Sequence, residues 1–200
     1  WYAADSNIAV TALPDPNYHF LGWTGDIVST NNPLNIPMDK PYTLTADFEI
    51  DTYTLTVSST AGGSATTPGE GIFTNDFGAT PTIIAVSNAN YHFLYWSGTA
   101  ADAGKVADTN AESTTVTTDG DYTLVANFAI DTYLLTVSST AGGSATTPGE
   151  GVFTNDYGAT PAISAVSNAN YHFLYWSGTA ADAGKVADTN AESTTVTTDG

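Results

Sequence analysis

The sequence predicts a mostly β protein built from tandem copies of a small domain of about 80 residues. The period of 80 residues comes from Asp51-Thr52-Tyr53, which recurs as Asp131-Thr132-Tyr133. Residues 51–120 and 131–200 differ at only five positions, so these copies are nearly identical. A dense aromatic run closed by a glycine is typical of a buried strand that ends in a turn. It occurs three times, at residues 18–25, 91–98 and 171–178.

The period divides the chain into three segments. Residues 1–50, the first repeat, are a partial and diverged copy of the C-terminal part of the unit. Residues 51–130, the middle repeat, are complete, and residues 131–200, the third repeat, lack the last strand. Because Trp1 falls inside a repeat, we expect the chain to be a window on a longer one.

The middle repeat alternates short apolar segments with glycine-rich or polar turns. Tyr53–Val57 alternates apolar and polar residues, which is typical of a half-buried strand. Asp119-Gly120 is a hairpin signal before the last strand, Tyr122–Phe128. Residues 99–113 are small and polar and predict a loop with one helical turn. Further strands are predicted at residues 64–66, 72–73, 80–86, 91–97 and 114–117.

The chain is strongly acidic. Its 21 carboxylates face only three cations, Lys40, Lys105 and Lys185, and the formal net charge is −18. A phosphate-binding surface needs clustered Lys and Arg, so we expect no binding of nucleic acid or anionic membrane. No apolar run approaches the length of a membrane-spanning helix, so we expect no membrane insertion in this segment. The absence of cysteine excludes disulfides and cysteine-ligated metals.

The motifs of the middle repeat follow one another in a familiar order. They are the Tyr53–Val57 strand, Ala61-Gly62-Gly63-Ser64, the aromatic run 91–98 and the Tyr122–Phe128 strand. Together they resemble the divergent internalin-type B repeat, which is related to the Listeria–Bacteroides repeat of bacterial surface proteins. The resemblance covers the whole chain. It implies small β-grasp-like domains strung in tandem on exported proteins, and therefore an extracellular or cell-surface location.

Three histidines, His19, His92 and His172, occupy one position of the repeat, directly after the first tyrosine of the aromatic run. One histidine in each copy of a domain builds no cluster, so we interpret these side chains as structural. The sequence contains no recognisable nucleophile–base pair, phosphate loop or zinc motif. We therefore predict a protein without catalysis and without a cofactor.

The polar loop after the aromatic run offers oxygen ligands at alternating positions, as calcium loops do. The glycine of an EF-hand loop is missing, and the first repeat has no clear equivalent, so a solvated acidic loop is the preferred interpretation. The calcium candidates are Asp108, Asn110 and Glu112 with their counterparts Asp188, Asn190 and Glu192.

The aromatic run is also the candidate contact surface. Tyr91, Tyr95 and Trp96 are a possible platform for stacking on a sugar ring. The alternative is a core strand that also contacts a neighbouring repeat, since both faces are partly apolar. Strict alternation gives the two faces as Tyr91, Phe93 and Tyr95 on one side and His92, Leu94 and Trp96 on the other.

Two functions are compatible with these observations. A structural tandem-repeat module, acting as a spacer or stalk in a bacterial extracellular surface protein or filament, explains the near-identical copies. An adhesive module that binds a glycan or host protein through the aromatic strand is the alternative. Besides contacts between neighbouring repeats, we expect head-to-tail self-association. The first repeat lacks the strand equivalent to Tyr53–Val57, and the third lacks the one equivalent to Tyr122–Phe128.

Overall fold

The computed structural model describes residues 6–199 and consists almost entirely of short β-strands. The prediction of a mostly β protein is therefore confirmed. The chain packs as two compact units. The first comprises the residues up to Thr60, Ser64–Val86 and Tyr95–Asn127, and the second comprises Ala61–Gly63, Ser87–Leu94 and the residues from Phe128 onward.

The first repeat forms two antiparallel strand pairs. Strand β1 (Asn7–Val10) pairs with β3 (Leu34–Pro37), and β2 (Tyr18–Gly25) pairs with β4 (Leu44–Ile50). Their apolar side chains meet in one cluster. Its buried members are Ala12, Trp23, Leu34 and Ile36.

The middle repeat consists of seven strands and a single helical turn, α1 (Thr99–Asp102). The strands are β5 (Thr52–Ser59), β6 (Gly63–Thr67), β7 (Gly71–Asp76), β8 (Thr82–Ser87), β9 (Tyr91–Ser97), β10 (Ser113–Thr115) and β11 (Tyr122–Ile130). One sheet has the order β7-β5-β11-β9 and the other the order β10-β8-β6. The predicted short strand at residues 64–66 and the helical turn are confirmed.

Strand β11 runs parallel to β5, while β7 pairs with β5 antiparallel on the other side. Alternation along β5 buries Leu55 and Val57, and alternation along β11 buries Leu124 and Ala126. Burying one leucine side chain completely contributes about 1.5–3 kcal/mol. The pairing of the first and last strands of the repeat therefore accounts for a large share of its buried apolar surface.

The aromatic strand departs from strict alternation. In β2 the register against β4 shifts between Phe20 and Gly22, which is a β-bulge. Because of the extra residue, the side chains after the bulge point inward one position later than strict alternation predicts. Phe20 is therefore half-buried and Trp23 is buried. Their rings pack edge to face at 5.4 Å.

Strand β9 agrees with β2 in the burial of its phenylalanine and its tryptophan. Phe93 is half-buried and Trp96 is buried, while the two residues between them, Leu94 and Tyr95, are exposed. The predicted division into two alternating faces is therefore wrong for this strand, since it places Phe93 and Trp96 on opposite sides.

Among residues 131–199 the third repeat reproduces the elements of the middle repeat except in its aromatic run. Strands β12 (Thr132–Val137) and β14 (Gly151–Asp156) pair, and β13 (Gly143–Thr147), β15 (Ala162–Ser167) and β16 (Ser193–Thr195) form a second sheet, with one helical turn, α2 (Thr179–Asp182). The strand predicted at residues 171–177 is wrong, because this segment has no strand conformation. In the middle repeat the neighbour of this strand is β11, and residues 131–199 contain no counterpart of β11.

An ion pair fixes the loop after α1 to the turn before β11. Lys105 Nζ donates to Asp119 Oδ2, and the Tyr122 hydroxyl donates to Asp119 Oδ1 at 2.8 Å. The bond from Lys105, followed by the bond from Tyr122, lowers the pKa of Asp119. The same bond to Asp119 raises the pKa of Lys105.

Replacing Asp119 by Asn should lower the melting temperature near neutral pH, because the amide cannot carry the charge that Lys105 binds. A carboxyl whose pKa is lowered by folding stabilises the fold at pH values above its ordinary pKa of about 3.9. This contribution disappears as the pH falls through the folded-state pKa. The melting temperatures of wild type and Asp119→Asn should therefore converge in acid. Thermal scans across this pH range measure the difference, with the exposed Asp102→Asn as the matched control. A difference that persists undiminished at low pH would contradict the assignment.

Candidate functional site: the joint between repeats

A single aspartate connects each repeat to the next. Strand β4 ends at Ile50 and β5 begins at Thr52, so only Asp51 lies between them. Asp131 has the same place between β11 and β12. A connection of one residue leaves little freedom between the elements that it joins, especially when its backbone groups are bonded.

Asp51 is bonded to both repeats that it connects. Its backbone N–H donates to Asn17 O of the first repeat at 2.8 Å, and its carbonyl accepts from Phe77 N–H of the middle repeat at 2.8 Å. Its carboxylate oxygen Oδ1 lies 2.9 Å from His19 Nδ1. Because an ionised carboxylate only accepts, Nδ1 of His19 is the donor.

Asp131 repeats this arrangement between the middle and third repeats. Its N–H donates to Asn90 O at 2.8 Å, and its carbonyl accepts from Tyr157 N–H at 2.8 Å. His92 Nδ1 lies 2.8 Å from Asp131 Oδ1. We call the set formed by Asp51 or Asp131 with its asparagine, histidine and aromatic partners the joint.

The asparagine of the joint has a special backbone conformation. Asn17 and Asn90 both have φ of 65°, in the left-handed region, which Asn tolerates better than most residues. The turn before β9 is closed by Tyr91 N–H donating to Asn88 O at 3.1 Å. It leaves the carbonyl of Asn90 available for Asp131. Asn170 of the third repeat keeps the conformation, with φ of 67°.

The bonds of the joint are individually modest. The His92 side chain is 53% exposed and the Asp131 side chain 37%, and exposed ion pairs typically contribute about 0.2–1 kcal/mol. A backbone hydrogen bond contributes about 0.5–1.5 kcal/mol. The arrangement is therefore suited to fixing an orientation rather than to supplying most of the stability of a domain.

Sequence reasoning found the three histidines but not their partner. Within the described residues His172 makes no hydrogen bond or ion pair, unlike His19 and His92. The missed signal was the identical Ile-Asp-Thr-Tyr sequence at both junctions, residues 50–53 and 130–133. Its aspartate recurs wherever one repeat meets the next.

The predicted sugar platform needs a correction at Trp96. Its side chain is only 1% exposed, and its Nε1–H donates to Ala111 O at 3.0 Å, so it is a core residue. Tyr95 beside it is 46% exposed and is available to a ligand. Tyr91 is half-buried against Gly62, where an added Cβ would lie 2.2 Å from the tyrosine ring.

The comparisons with known proteins agree with the repeat architecture. The chain matches the divergent InlB B-repeat domain three times, at residues 1–52, 53–132 and 133–199. It belongs to that family. B-repeat domains of this kind occur in bacterial surface proteins and are typically non-catalytic, and the predicted resemblance is confirmed. Comparisons with curated proteins and with solved structures found no match.

The calcium candidates of this B-repeat chain lie in a loop that supports the core. Asp108 Oδ1 accepts from Asn110 N–H at 2.8 Å, and Glu112 contributes its backbone carbonyl to Ala85 N–H. Asp188 and Asn190 repeat the first bond at 2.9 Å, and Glu192 repeats the second. Among residues 6–199 no group of three or more His, Asp or Glu side chains is placed to hold a metal ion. Calcium binding stays the alternative to a solvated acidic loop.

The first B-repeat differs from the others by a surface cleft. Gly22 stands where the middle repeat has Tyr95, and a cleft of about 590 Å³ opens over it. Leu21, Val28 and Asp47 line the cleft.

Within residues 6–199 no helix has the length and apolar character needed to cross a membrane.

Replacing Trp96 by Ala should destabilise the middle B-repeat by about 3–5 kcal/mol, because it removes a buried aromatic side chain. Replacing the exposed neighbour Tyr95 by Ala should cost less than about 1 kcal/mol. Urea unfolding of the two variants beside wild type measures both changes. Equal effects of the two substitutions would show that Trp96 and Tyr95 do not differ as a core residue and a surface residue.

Proposed function

We propose that this B-repeat chain is a structural spacer or stalk segment of a bacterial extracellular surface protein or filament, without catalysis of its own. The observation that supports the proposal is the joint. Two successive junctions have the same aspartate, three equivalent partners and distances within 0.1 Å of each other: 2.8, 2.8 and 2.9 Å for Asp51, and 2.8, 2.8 and 2.8 Å for Asp131.

A spacer needs its domains to keep a defined orientation. The N–H of Asp131 is bonded to the repeat before it and the carbonyl to the repeat after it. Rotation about this residue breaks at least one of these bonds. Flexible linkers are instead several residues long and rich in Gly and Ser, with a solvated backbone.

Two further features fit this role. The net charge of −18 gives neighbouring stalks a mutual repulsion that favours solubility. The parallel β5–β11 pair inside a mixed sheet supports β-grasp-like units. In this proposal the units are residues 1–50, 51–130 and 131–200.

The orientation can be measured by spin labelling, because the chain contains no cysteine. Ile72 and Val152 are equivalent positions in the middle and third repeats, 71% and 61% exposed, and suit labels after replacement by Cys. The double-labelled chain should give one narrow distance distribution. Replacing Asp131 by Gly should broaden it, because glycine removes the carboxylate and enlarges the backbone freedom.

His172→Ala is the matched control, since this histidine is chemically identical to His92 but has no aspartate partner among residues 6–199. It should leave the distance distribution unchanged. A chain with two glycines inserted after Asp131 provides the freely jointed reference. If the parent distribution is as broad as this reference, the repeats tumble independently and the spacer proposal is wrong.

The second candidate function is adhesion, favoured by exposed apolar side chains on the aromatic run. Leu94 and Tyr95 are 41% and 46% exposed, and Leu174 and Tyr175 are 66% and 60% exposed. An aromatic ring beside an aliphatic side chain suits the apolar face of a sugar or a host-protein surface.

A glycan array separates the two functions. An adhesive module should bind defined glycans and lose this binding when both Tyr95 and Tyr175 are replaced by Ala. The exposed Ile72→Ala is the control for a general loss of apolar surface. Binding that survives the tyrosine substitutions, or no binding at all by a folded chain, counts against glycan adhesion through these residues.

A further inference from the structure

The cleft of about 590 Å³ in the first repeat lies over strand β2. Residues 21–24, 28–31 and Asp47 line it, so it is formed entirely inside one repeat. The counterparts of β2 and β4 in the middle repeat are β9 and β11. There β5 and β7 lie on the side of β11 away from β9, and β6 lies in the other sheet. The cleft is therefore a property of residues 21–47 themselves.

Glycine at position 22 keeps the cleft free of a side chain. The middle repeat has Tyr95 at the equivalent position, and this side chain is 46% exposed. A Cβ added to Gly22 would lie 3.2 Å from Ser29 O, which is closer than side chains ordinarily approach. The loop after β2 thus lies too close to Gly22 for a side chain to fit without a shift.

The loop after β2 is also short. Trp23 N–H donates to Ser29 O at 2.7 Å, just as Trp96 N–H donates to Thr109 O at 2.7 Å in the middle repeat. Three residues separate the glycine at the end of the aromatic run from Ser29, whereas ten, including α1, separate the equivalent glycine from Thr109. The first repeat therefore lacks most of the segment that follows the aromatic strand in the middle repeat.

The charged group of the cleft is the Asp47 carboxylate on β4. Its Oδ2 accepts from the Thr24 hydroxyl at 2.9 Å. The middle repeat has Asn127 at this position, and its amide donates to Tyr95 O at 3.1 Å and to Ser97 Oγ at 2.8 Å. A carboxylate cannot donate, so the first repeat has a negative charge where the middle repeat has a donor. Among residues 6–199 Asp47 makes no ion pair.

The rest of the lining offers aliphatic surface and hydrogen-bond acceptors. Leu21 and Val28 are 47% and 81% exposed. The Thr24 hydroxyl donates its proton to Asp47, so it can only accept from a ligand. None of the described residues that line the cleft carries a positive charge. The cleft therefore suits a ligand that combines an aliphatic chain with a cationic donor.

We propose that this cleft binds a lysine side chain of a partner protein. The ammonium group donates to Asp47, and the aliphatic stem lies along Leu21 and Val28. A primary ammonium has three donors and no acceptor, which matches a lining of acceptors. Lysine covers apolar surface with its methylene stem while its charge stays near water, and an open cleft permits both.

Charge and shape favour lysine over other ligands. Arginine binds a carboxylate best through a planar fork on both oxygens, and one oxygen of Asp47 is already bonded to Thr24. A sugar ring stacks best on an aromatic face, but Trp23 is only 5% exposed. Calcium takes about six to eight oxygen ligands, and within residues 6–199 no group of three His, Asp or Glu side chains is placed to hold a metal ion.

The lysines of the chain itself already have partners. Lys105 and Lys185 each donate to the aspartate 14 residues later. Lys40 Nζ lies 5.2 Å from the centre of the Tyr42 ring. The net charge of −18 attracts a basic segment of another protein and repels a second copy of this chain. The lysine that enters the cleft therefore comes from a different protein.

Nuclear magnetic resonance of the full chain, isotopically labelled in nitrogen, tests the proposal. The probe is a pentapeptide with one lysine between glycines and blocked ends, and its control is the same peptide with the lysine acetylated. The indole N–H of Trp23, which donates to Asn31 O at 3.0 Å beside the cleft, is the reporter. The lysine peptide should shift its resonance saturably and leave those of Trp96 and Trp176 in place. The acetylated peptide should not shift it.

Asp47→Asn locates the ammonium group. The middle repeat has asparagine at this position, so the fold accommodates it. The substitution should weaken binding of the lysine peptide by about fivefold or more, as loss of an exposed ion pair does. Asp15→Asn removes the same charge from an exposed position outside the cleft, and this variant should bind the peptide as wild type does.

Four results would overturn the proposal. They are a Trp23 resonance that does not move, equal shifts from the acetylated peptide, unchanged binding by Asp47→Asn, and equal shifts at Trp96 and Trp176. The last would show a general attraction of the peptide to an acidic chain. Sedimentation velocity without peptide identifies the source of the lysine. Self-association that Asp47→Asn abolishes would identify a second copy as the occupant and overturn the assignment to a partner protein.

Discussion

The parallel pairing of β5 with β11 is the constraint on which each repeat depends. The last strand of the repeat must return to lie beside the first, and its residues Leu124 and Ala126 are completely buried there. Antiparallel neighbours can be joined by a short turn, whereas a parallel pair requires a long connection. Everything between β5 and β11 is that connection, so the domain closes only when its final strand is in place.

The strand pairing that completes a repeat consequently also forms its connection to the next repeat. Strand β11 ends at Ile130, and the following residue, Asp131, makes the joint. The position of Asp131 is set by β11, while its partners Asn90 and His92 are set by the turn into β9. Because β9 and β11 are neighbours in one sheet, the joint is assembled by the same pairing that completes the sheet.

The sequence was sufficient to predict the repeat, most of its strands and its family, because these depend on local pattern and period. It was insufficient where the outcome depends on pairing. The bulge that turns Phe20 and Trp23 to the same side is a property of the β2–β4 pair and leaves no mark in the alternation. The joint links His19 to Asp51 and His92 to Asp131 across 32 and 39 residues, beyond the reach of any local rule.

The few differences between the middle and third repeats show which positions the fold leaves free. Ile72 and Val152 are 71% and 61% exposed, and Leu134, where the middle repeat has Thr54, is 70% exposed. Phe77 and Tyr157 differ by one hydroxyl. Their ring centroids nevertheless lie 6.2 Å from those of Tyr53 and Tyr133, respectively. The joint tolerates this difference, because Asp51 and Asp131 accept from the backbone N–H of Phe77 and Tyr157 and not from their rings.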